Sequence, residues 1–131
     1  MRCSVCRWAL RGAVTLAISG GSLLGGAGPA VAGTRLVVPP AETACSANTC
    51  QVIDSSGGTV SDWYTETTAS SSVCTYARYY ANGTLVAETG TKCLSSGQEA
   101  TANWSDPGTF SSGTNLCSSW YGIAGEPCTK L

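Results

Sequence analysis

This 131-residue chain has eight cysteines and no histidine. Cysteine is therefore the first residue type to consider for a chemical role, in catalysis, metal binding or disulfide formation. A Ser-His-Asp or Cys-His system needs histidine as its base, so both arrangements are excluded. Zinc sites usually contain histidine or closely spaced cysteine pairs, and no C-x-x-C pair follows residue 32. We therefore expect neither a metal ion nor a cofactor, and we expect the cysteines to form disulfides.

Residues 1–32 have the pattern of a secretory signal peptide. Arg2, Arg7 and Arg11 precede a mostly apolar stretch, and Ala30-Val31-Ala32 provides an A-x-A cleavage site. A membrane anchor is the alternative, but glycine pairs interrupt the apolar stretch, and a spanning helix needs about 20 predominantly apolar residues. The sequence predicts secretion to the extracellular space, with residues 33–131 left as one domain.

Six cysteines remain after that cleavage, and an even number in a short exported chain indicates a disulfide framework. The six are Cys45, Cys50, Cys74, Cys93, Cys117 and Cys128. Their spacing does not select one of the fifteen possible pairings. Each disulfide contributes about 2–4 kcal/mol, so three could match a typical net stability of about 5–15 kcal/mol.

A pair of carboxylates is the remaining catalytic option, because two carboxylates can hydrolyse a glycosidic bond. Asp54, Asp62, Glu66 and Asp106 are the candidates, and we expect them in or near turns, where acids are ordinarily solvated. A domain of this size also has little volume for a substrate cleft. We predict that the protein is not an enzyme.

The charge of the chain limits the classes of partner. Residues 33–131 carry four basic and eight acidic residues, a formal net charge of −4. The sequence has no basic patch to neutralise phosphates and no basic amphipathic helix for an anionic membrane. We expect no nucleic-acid partner, no membrane association after signal cleavage, and a monomer.

The sequence predicts that short strands hold these residues in place. Residues 33–49 contain Pro39-Pro40 and are predicted to be an irregular lead-in, whereas residues 50–131 alternate strand and turn signals. Such spacing is typical of sandwiches and barrels. The predicted fold is all-β, a small disulfide-stapled antiparallel β-sandwich or barrel of about six strands.

The clearest strand runs from Val73 to Tyr80. Its alternate residues from Val73 to Tyr79 share one face, and those from Cys74 to Tyr80 share the other. Asn82-Gly83 follows, and this pair tolerates the positive φ of a type I′ turn. The sequence therefore predicts a hairpin whose second strand begins at Thr84.

Three further segments complete the predicted strand order. Thr59 to Thr68 is rich in residues that suit a pleated surface, and Gln98 to Trp104 alternates apolar with polar side chains. Asp106-Pro107-Gly108 predicts a turn, since proline pre-sets φ and glycine accepts positive φ. The last predicted strand covers about Asn115 to Tyr121.

The stretch from Cys50 to Cys117 resembles the small proteinaceous α-amylase inhibitors of actinobacteria, the tendamistat family. The matching features, in chain order, are Cys50, Trp63-Tyr64, Cys74 opening a strand, Tyr80 before Asn82-Gly83, Cys93, Gly97-Gln98, a strand at Thr101, and Cys117. The resemblance implies a bacterial source and a six-stranded sandwich with two sequential disulfides. It also implies the pairs Cys50–Cys74 and Cys93–Cys117, which leave Cys45–Cys128 to join the ends.

One departure from that family bears on function. Family inhibitors present Trp-Arg-Tyr on the loop between the first two strands, and the arginine engages the acidic catalytic centre of the amylase. Here the matching segment reads Asp62-Trp63-Tyr64 and has no arginine beside the aromatic residues. An aspartate facing catalytic carboxylates would be repelled, so the fold could be shared while the target differs.

Two non-catalytic functions are compatible with these features. The first is a secreted inhibitor that presents a rigid aromatic loop, Ser61 to Thr65, to a hydrolase such as an α-amylase, with Asp62, Trp63 and Tyr64 as the binding residues. In the alternative, Trp63 simply packs in the core. The second function is a carbohydrate- or protein-binding β-module, in which Trp63, Trp104 and Trp120 could form a stacking platform.

Overall fold

The computed structural model describes residues 41–131, and this part of the chain consists of β-strands joined by turns and short loops. The strands are β1 (Glu42–Ser46), β2 (Thr49–Ser56), β3 (Thr59–Thr68), β4 (Val73–Thr75), β5 (Ala77–Ala81), β6 (Thr84–Glu88), β7 (Lys92–Leu94), β8 (Glu99–Thr109), β9 (Asn115–Trp120) and β10 (Cys128–Lys130). The predicted all-β, disulfide-stapled antiparallel fold is confirmed. No helix in residues 41–131 is long and apolar enough to span a membrane.

The strands form two open four-stranded sheets and one small ribbon. The first sheet has the order β1-β2-β3-β8, the second has the order β10-β9-β5-β6, and β4 pairs with β7 in a two-stranded ribbon. The strand count exceeds the predicted six for two reasons. The sequence does not mark β1, β7 and β10 as separate strands, and the predicted strand from Val73 to Tyr80 is divided at Tyr76 between the ribbon and the second sheet.

Aromatic side chains fill much of the space between the two sheets. Trp63 is fully buried and lies against Tyr79, with ring centroids 5.1 Å apart, and against Trp104 at 6.0 Å. Ile53 and Leu116 are also fully buried in the same cluster. Because large aliphatic residues are few, these rings supply much of the apolar area that stabilises the fold.

A buried glutamine joins the two sheets through hydrogen bonds. Gln51 is fully buried, and its Oε1 accepts a hydrogen bond from Nε1 of Trp63 at 3.1 Å. Its Nε2 donates to the carbonyl of Leu116 at 2.9 Å and to Oγ1 of Thr129 at 3.1 Å. Every polar atom of this amide group therefore has a partner, which offsets the cost of removing it from water.

Thr65 makes a second set of contacts between the sheets. Its Oγ1 donates to the carbonyl of Cys50 at 3.0 Å and accepts from Oγ of Ser118 at 3.0 Å and from Nε1 of Trp120 at 3.3 Å. These directional contacts fix how one sheet lies on the other, which apolar packing alone would specify less strictly.

The hairpin prediction is confirmed, whereas the predicted turn at Asp106-Pro107-Gly108 is wrong. Asn82 and Gly83 have φ of 49° and 77°, as a type I′ turn between β5 and β6 requires. Asp106 and Gly108 also have positive φ, but β8 continues through them to Thr109. Their unusual conformation makes a bulge, because the pairing of β3 with β8 shifts register there and then resumes.

All six predicted cysteines form disulfides, but the pairing implied by the resemblance is wrong. The bonds are Cys45–Cys50, Cys74–Cys93 and Cys117–Cys128, and not Cys50–Cys74, Cys93–Cys117 and Cys45–Cys128. Each bond joins residues directly opposite each other on paired antiparallel strands, with Cα atoms 4.0, 3.9 and 4.1 Å apart. Strand register therefore determines the pairing.

The predicted irregular lead-in is partly wrong. Residues 33–49 include β1, which pairs with β2 through a tight turn in which Ala47 has a φ of 48°. The Cys45–Cys50 bond closes this hairpin, so the folded domain includes residues N-terminal to the predicted boundary at Cys50. The predicted signal peptide, residues 1–32, and the remainder of the lead-in up to residue 40 lie outside the described residues.

Candidate functional site

The segment predicted to be a presented loop is part of β3 in the first sheet. Asp62 and Tyr64 are half-buried, and Trp63 is fully buried with its indole N–H bonded to Gln51. β3 pairs with β2 on one side and β8 on the other, so the segment cannot protrude. The prediction of a rigid aromatic loop at Ser61 to Thr65 is wrong, and the alternative that Trp63 is a core residue is right.

The predicted tryptophan platform is also absent from the surface of residues 41–131. Trp63 and Trp120 are 0% and 1% exposed, and half-buried Trp104 stacks on Trp63. These three side chains point between the sheets because they alternate with outward-facing polar residues. They are not available to stack on sugar rings.

Tyr64 lies on the outer face of the first sheet, where its polar group already has an internal partner. Its hydroxyl donates to Oε2 of Glu66 at 3.1 Å. Burial, and secondarily the negative charge of Glu66, raises the pKa of Tyr64 to about 12. This tyrosine is therefore engaged within its own sheet.

The outer face of the second sheet carries a different group of side chains. Ala77 and Tyr79 of β5 are buried, so the alternate residues Arg78 and Tyr80 lie on the opposite face. Leu85 on β6 is directly opposite Tyr80 in the strand register. The tyrosine–arginine patch is defined here as Tyr76, Arg78, Tyr80, Leu85 and Tyr121, the last being the residue that follows β9.

Two stacked tyrosines and one arginine form the centre of the patch. The rings of Tyr76 and Tyr121 have centroids 5.1 Å apart and lie 8° from parallel. The Cζ atom of Arg78 is 5.6 Å from the Tyr76 centroid and 5.4 Å from the Tyr121 centroid, within cation–π distance of both. Its Nε is buried without a hydrogen-bond partner among residues 41–131, so the ring contacts are the interactions that the structure shows for this end of the side chain.

Backbone contacts fix Tyr121 while its ring stays accessible. Its N–H donates to the carbonyl of Tyr76 at 3.0 Å, and its carbonyl accepts from Oγ1 of Thr75 at 2.7 Å. Gly122, with a φ of 71°, continues the tight turn that is closed by the N–H of Ile123 bonding to the carbonyl of Trp120 at 3.0 Å. Tyr121 is thus held at both peptide groups.

Two of the five patch residues are exposed large hydrophobic residues, and Tyr76, Arg78 and Tyr80 are half-buried. Tyr121 is 50% exposed and Leu85 46%, and Val86 beside the patch is the other large hydrophobic residue of residues 41–131 with high exposure, at 40%. Tyrosine and arginine are the types that most often dominate binding energy at protein interfaces. The alternation of Tyr76, Arg78 and Tyr80 was visible in the sequence, but the stacking of Tyr121 on Tyr76 was not.

One group of potential metal ligands occurs in residues 41–131, consisting of Cys117, Glu126 and Cys128. The two sulfur atoms are bonded to each other, so neither is a free thiolate. The group therefore offers a single carboxylate, which is insufficient to define a metal site.

No protein-family model matches the chain, and neither a curated protein nor a solved structure matches it significantly. The protein is therefore classified by its fold and surface, as a three-disulfide antiparallel β-sandwich with an exposed tyrosine–arginine patch.

Proposed function

We propose that the protein is a secreted, non-catalytic inhibitor of a hydrolase and that the tyrosine–arginine patch is the surface that contacts the target. The observation that carries this proposal is the arrangement of Arg78 over the stacked rings of Tyr76 and Tyr121, with Tyr121 half-exposed. Export of the chain after cleavage at Ala32 belongs to the same proposal, and three disulfides suit an oxidising compartment.

The scaffold favours binding because its contact residues are ordered before the partner arrives. Arg78 is on a paired strand between β9 and β6, and Tyr121 is bonded through both of its peptide groups. Ordering a flexible side chain at an interface costs about 0.5–1.5 kcal/mol, and a pre-ordered patch avoids part of this cost. A rigid aromatic and cationic surface is therefore well suited to inhibition by occlusion.

The guanidinium of Arg78 is suited to a partner with an acidic site, although Glu88 lies opposite Arg78 in the strand register and residues 33–131 carry a formal net charge of −4. Arg78 is the cation of the patch, and its guanidinium can donate two parallel hydrogen bonds to one carboxylate. Glycosidases carry a pair of catalytic carboxylates, so a glycosidase such as an α-amylase is the target class that we propose. Arg78 does not occupy the position of the arginine in the family that the sequence resembles, so its proposed role rests on its own contacts with Tyr76 and Tyr121.

The test is capture followed by inhibition. The oxidised protein serves as bait for secreted and host hydrolases, and each captured enzyme is assayed with increasing amounts of the protein. Arg78→Ala and Tyr121→Ala should each weaken inhibition by about 30-fold or more, as expected for residues at an interface centre. Glu99→Gln, at an exposed position of β8, is the matched control and should leave inhibition unchanged.

Two outcomes would count against the proposal. Equal inhibition by the wild type, Arg78→Ala and Tyr121→Ala would remove the patch from the interface. Binding to glycans or to a non-enzymatic protein, with no hydrolase inhibited, would instead favour the alternative of a binding module without inhibitory activity.

A further inference from the structure

The three disulfides have similar geometry but different exposure. Both Cys74 and Cys93 are exposed, whereas each of the other bonds has one shielded cysteine, Cys50 at 0% and Cys117 at 5% exposure. Reduction begins when a thiolate attacks a disulfide sulfur, so access to that sulfur affects the rate. The Cys74–Cys93 bond is therefore the one of the three whose two cysteines are both exposed to an external thiol.

The strands that hold the exposed bond are the shortest paired unit of the described fold. β4 and β7 have three residues each and pair only with one another. Cys45–Cys50, by contrast, lies within a hairpin of five residue pairs and joins cysteines only five positions apart, so its thiols would remain opposite each other after reduction. The cysteines of the ribbon are 19 residues apart, and a two-stranded unit of this length is marginal without its staple.

The ribbon is also connected directly to the tyrosine–arginine patch. Thr75, the last residue of β4, holds the carbonyl of Tyr121 at 2.7 Å, and the next residue, Tyr76, accepts the Tyr121 N–H at 3.0 Å. Val73, the first residue of β4, lies beside the turn, since a Cβ atom built on Gly122 would be 3.3 Å from its Cγ2. Opening of the ribbon would therefore loosen the stack of Tyr76 and Tyr121.

We infer that Cys74–Cys93 is a thiol–disulfide exchange site through which a dithiol reductant disorders the patch, an inference that deepens the proposed function by naming a regulation of that surface. One reductant thiolate attacks a ribbon sulfur, breaks the S–S bond and forms a mixed disulfide. The second thiolate of the reductant then attacks the mixed disulfide and releases the cysteine as a thiol. The two cysteines gain two electrons and two protons, and the dithiol becomes a disulfide.

The first test needs no partner protein. The full chain, with its disulfides formed, is incubated with increasing concentrations of dithiothreitol, and the released thiols are alkylated and located by peptide mapping. Cys74 and Cys93 should be labelled at a reductant concentration at least about ten-fold below that needed for the other four cysteines. Equal labelling of all three bonds, or earlier labelling of Cys45 and Cys50, would overturn the inference.

The second test asks whether reduction reaches the patch. In the selectively reduced protein, the ring proton signals of Tyr76 and Tyr121 should lose their stacking shifts, while the Nε1–H signal of Trp63 stays unchanged. The double variant Cys74→Ala/Cys93→Ala should reproduce this change. Cys45→Ala/Cys50→Ala removes a disulfide of the first sheet, away from the patch, and as the matched control it should leave the tyrosine signals unchanged. Unchanged tyrosine signals in the reduced protein would refute the link between ribbon and patch.

These results are separable from those that test the proposed function. If Arg78→Ala inhibits normally while Cys74–Cys93 is still reduced first, the proposed function fails and the exchange site remains. If the three bonds are reduced together while Arg78→Ala loses inhibition, the exchange site fails and the binding surface remains.

Discussion

The two outer faces of the sandwich use tyrosine in opposite ways. On the first sheet, the Tyr64 hydroxyl donates to Glu66, and Glu99 adds negative charge nearby. On the second sheet, Tyr121 stacks on Tyr76 beside a cation and remains 50% exposed. The same scaffold therefore has one face whose tyrosine hydroxyl is hydrogen-bonded within its own sheet and one whose tyrosine is half-exposed, so composition alone does not identify which tyrosines are accessible.

The largest effect is expected at Gln51, whose buried hydrogen bonds join the two sheets. Gln51→Leu should lower the free energy of unfolding by about 2–4 kcal/mol, because the indole N–H of Trp63 and the carbonyl of Leu116 would lose their buried partner. Denaturant unfolding followed by tryptophan fluorescence measures this change. Thr84→Val, on the exposed strand β6, is the control and should stay within about 0.5 kcal/mol.

The same hydrogen bonds also bear on whether the two sheets, and so the two outer faces, move together. If Gln51→Leu leaves stability unchanged, the hydrogen bonds of Gln51 do not hold the sheets together, and the two faces cannot be treated as parts of one rigid body.

The next largest effect is a difference in target affinity between substitutions on the two faces. Tyr121→Ala should cost at least about 2 kcal/mol of binding energy to the target hydrolase, about a 30-fold loss, since an exposed aromatic anchor is removed. Tyr64→Ala should change affinity by less than about three-fold, provided that circular dichroism shows a folded domain. Inhibition constants for the two variants provide the comparison, and a larger loss for Tyr64→Ala would reverse the assignment of the faces.

A smaller effect concerns the tyrosine inside the core. The Tyr79 hydroxyl is buried without a hydrogen-bond partner in residues 41–131, so Tyr79→Phe should raise stability by about 1 kcal/mol. Burial, and secondarily the negative charge of Asp62, raises the pKa of Tyr79 in the folded state. Both states keep this phenol protonated below about pH 10, and above that the unfolded state loses its proton first. Wild-type stability should therefore fall above about pH 10 more steeply than that of Tyr79→Phe, as alkaline denaturant titrations can measure. If the stability of the two proteins fell in parallel above about pH 10, the pKa of Tyr79 would not be raised in the folded state.

The smallest effect is expected at the hydroxyl of Tyr64. Removing the bond to Glu66 in Tyr64→Phe should lower stability by about 0.5 kcal/mol at neutral pH. Because the folded pKa of Tyr64 is about 12, the variant should also lose less stability than the wild type between about pH 10 and pH 12. Thermal unfolding at pH 7 and pH 11 would measure both differences. A stability loss at pH 7 well above 1 kcal/mol, on the scale of a core residue, would mean that the first face is part of the core.

Local sequence patterns predicted the fold better than they predicted the disulfides. The alternation through Val73 to Tyr80 and the Asn82-Gly83 turn depend on neighbouring residues, and both are observed in β4, β5 and the β5–β6 hairpin. The cysteine pairing depends on which strands lie side by side. β4 and β7 pair with each other although the β5–β6 hairpin separates them along the chain. The spacing of cysteines in the chain does not contain that information.

The site was harder to predict for the same reason. Trp63 and Tyr121 are both aromatic residues next to another aromatic residue, and only their strand positions separate a core side chain from an exposed one. The stack of Tyr121 on Tyr76 joins residues 45 positions apart through the β5–β9 pairing and the turn at Gly122. The alternation of the sequence predicted that Tyr76 and Arg78 share one face, but it could not predict that Tyr121 stacks on Tyr76.

If the tyrosine–arginine patch is the inhibitory surface, the target covers the second face and leaves the first face free. Oxidation of tyrosines by hydroxyl radicals does not require the phenolate, and peptide mapping after oxidation of the free and the hydrolase-bound protein distinguishes the two faces. We expect Tyr121, which is 50% exposed in the free protein, to become protected in the complex while the reactivity of Tyr64 is unchanged. Protection of Tyr64 with continued modification of Tyr121 would contradict it.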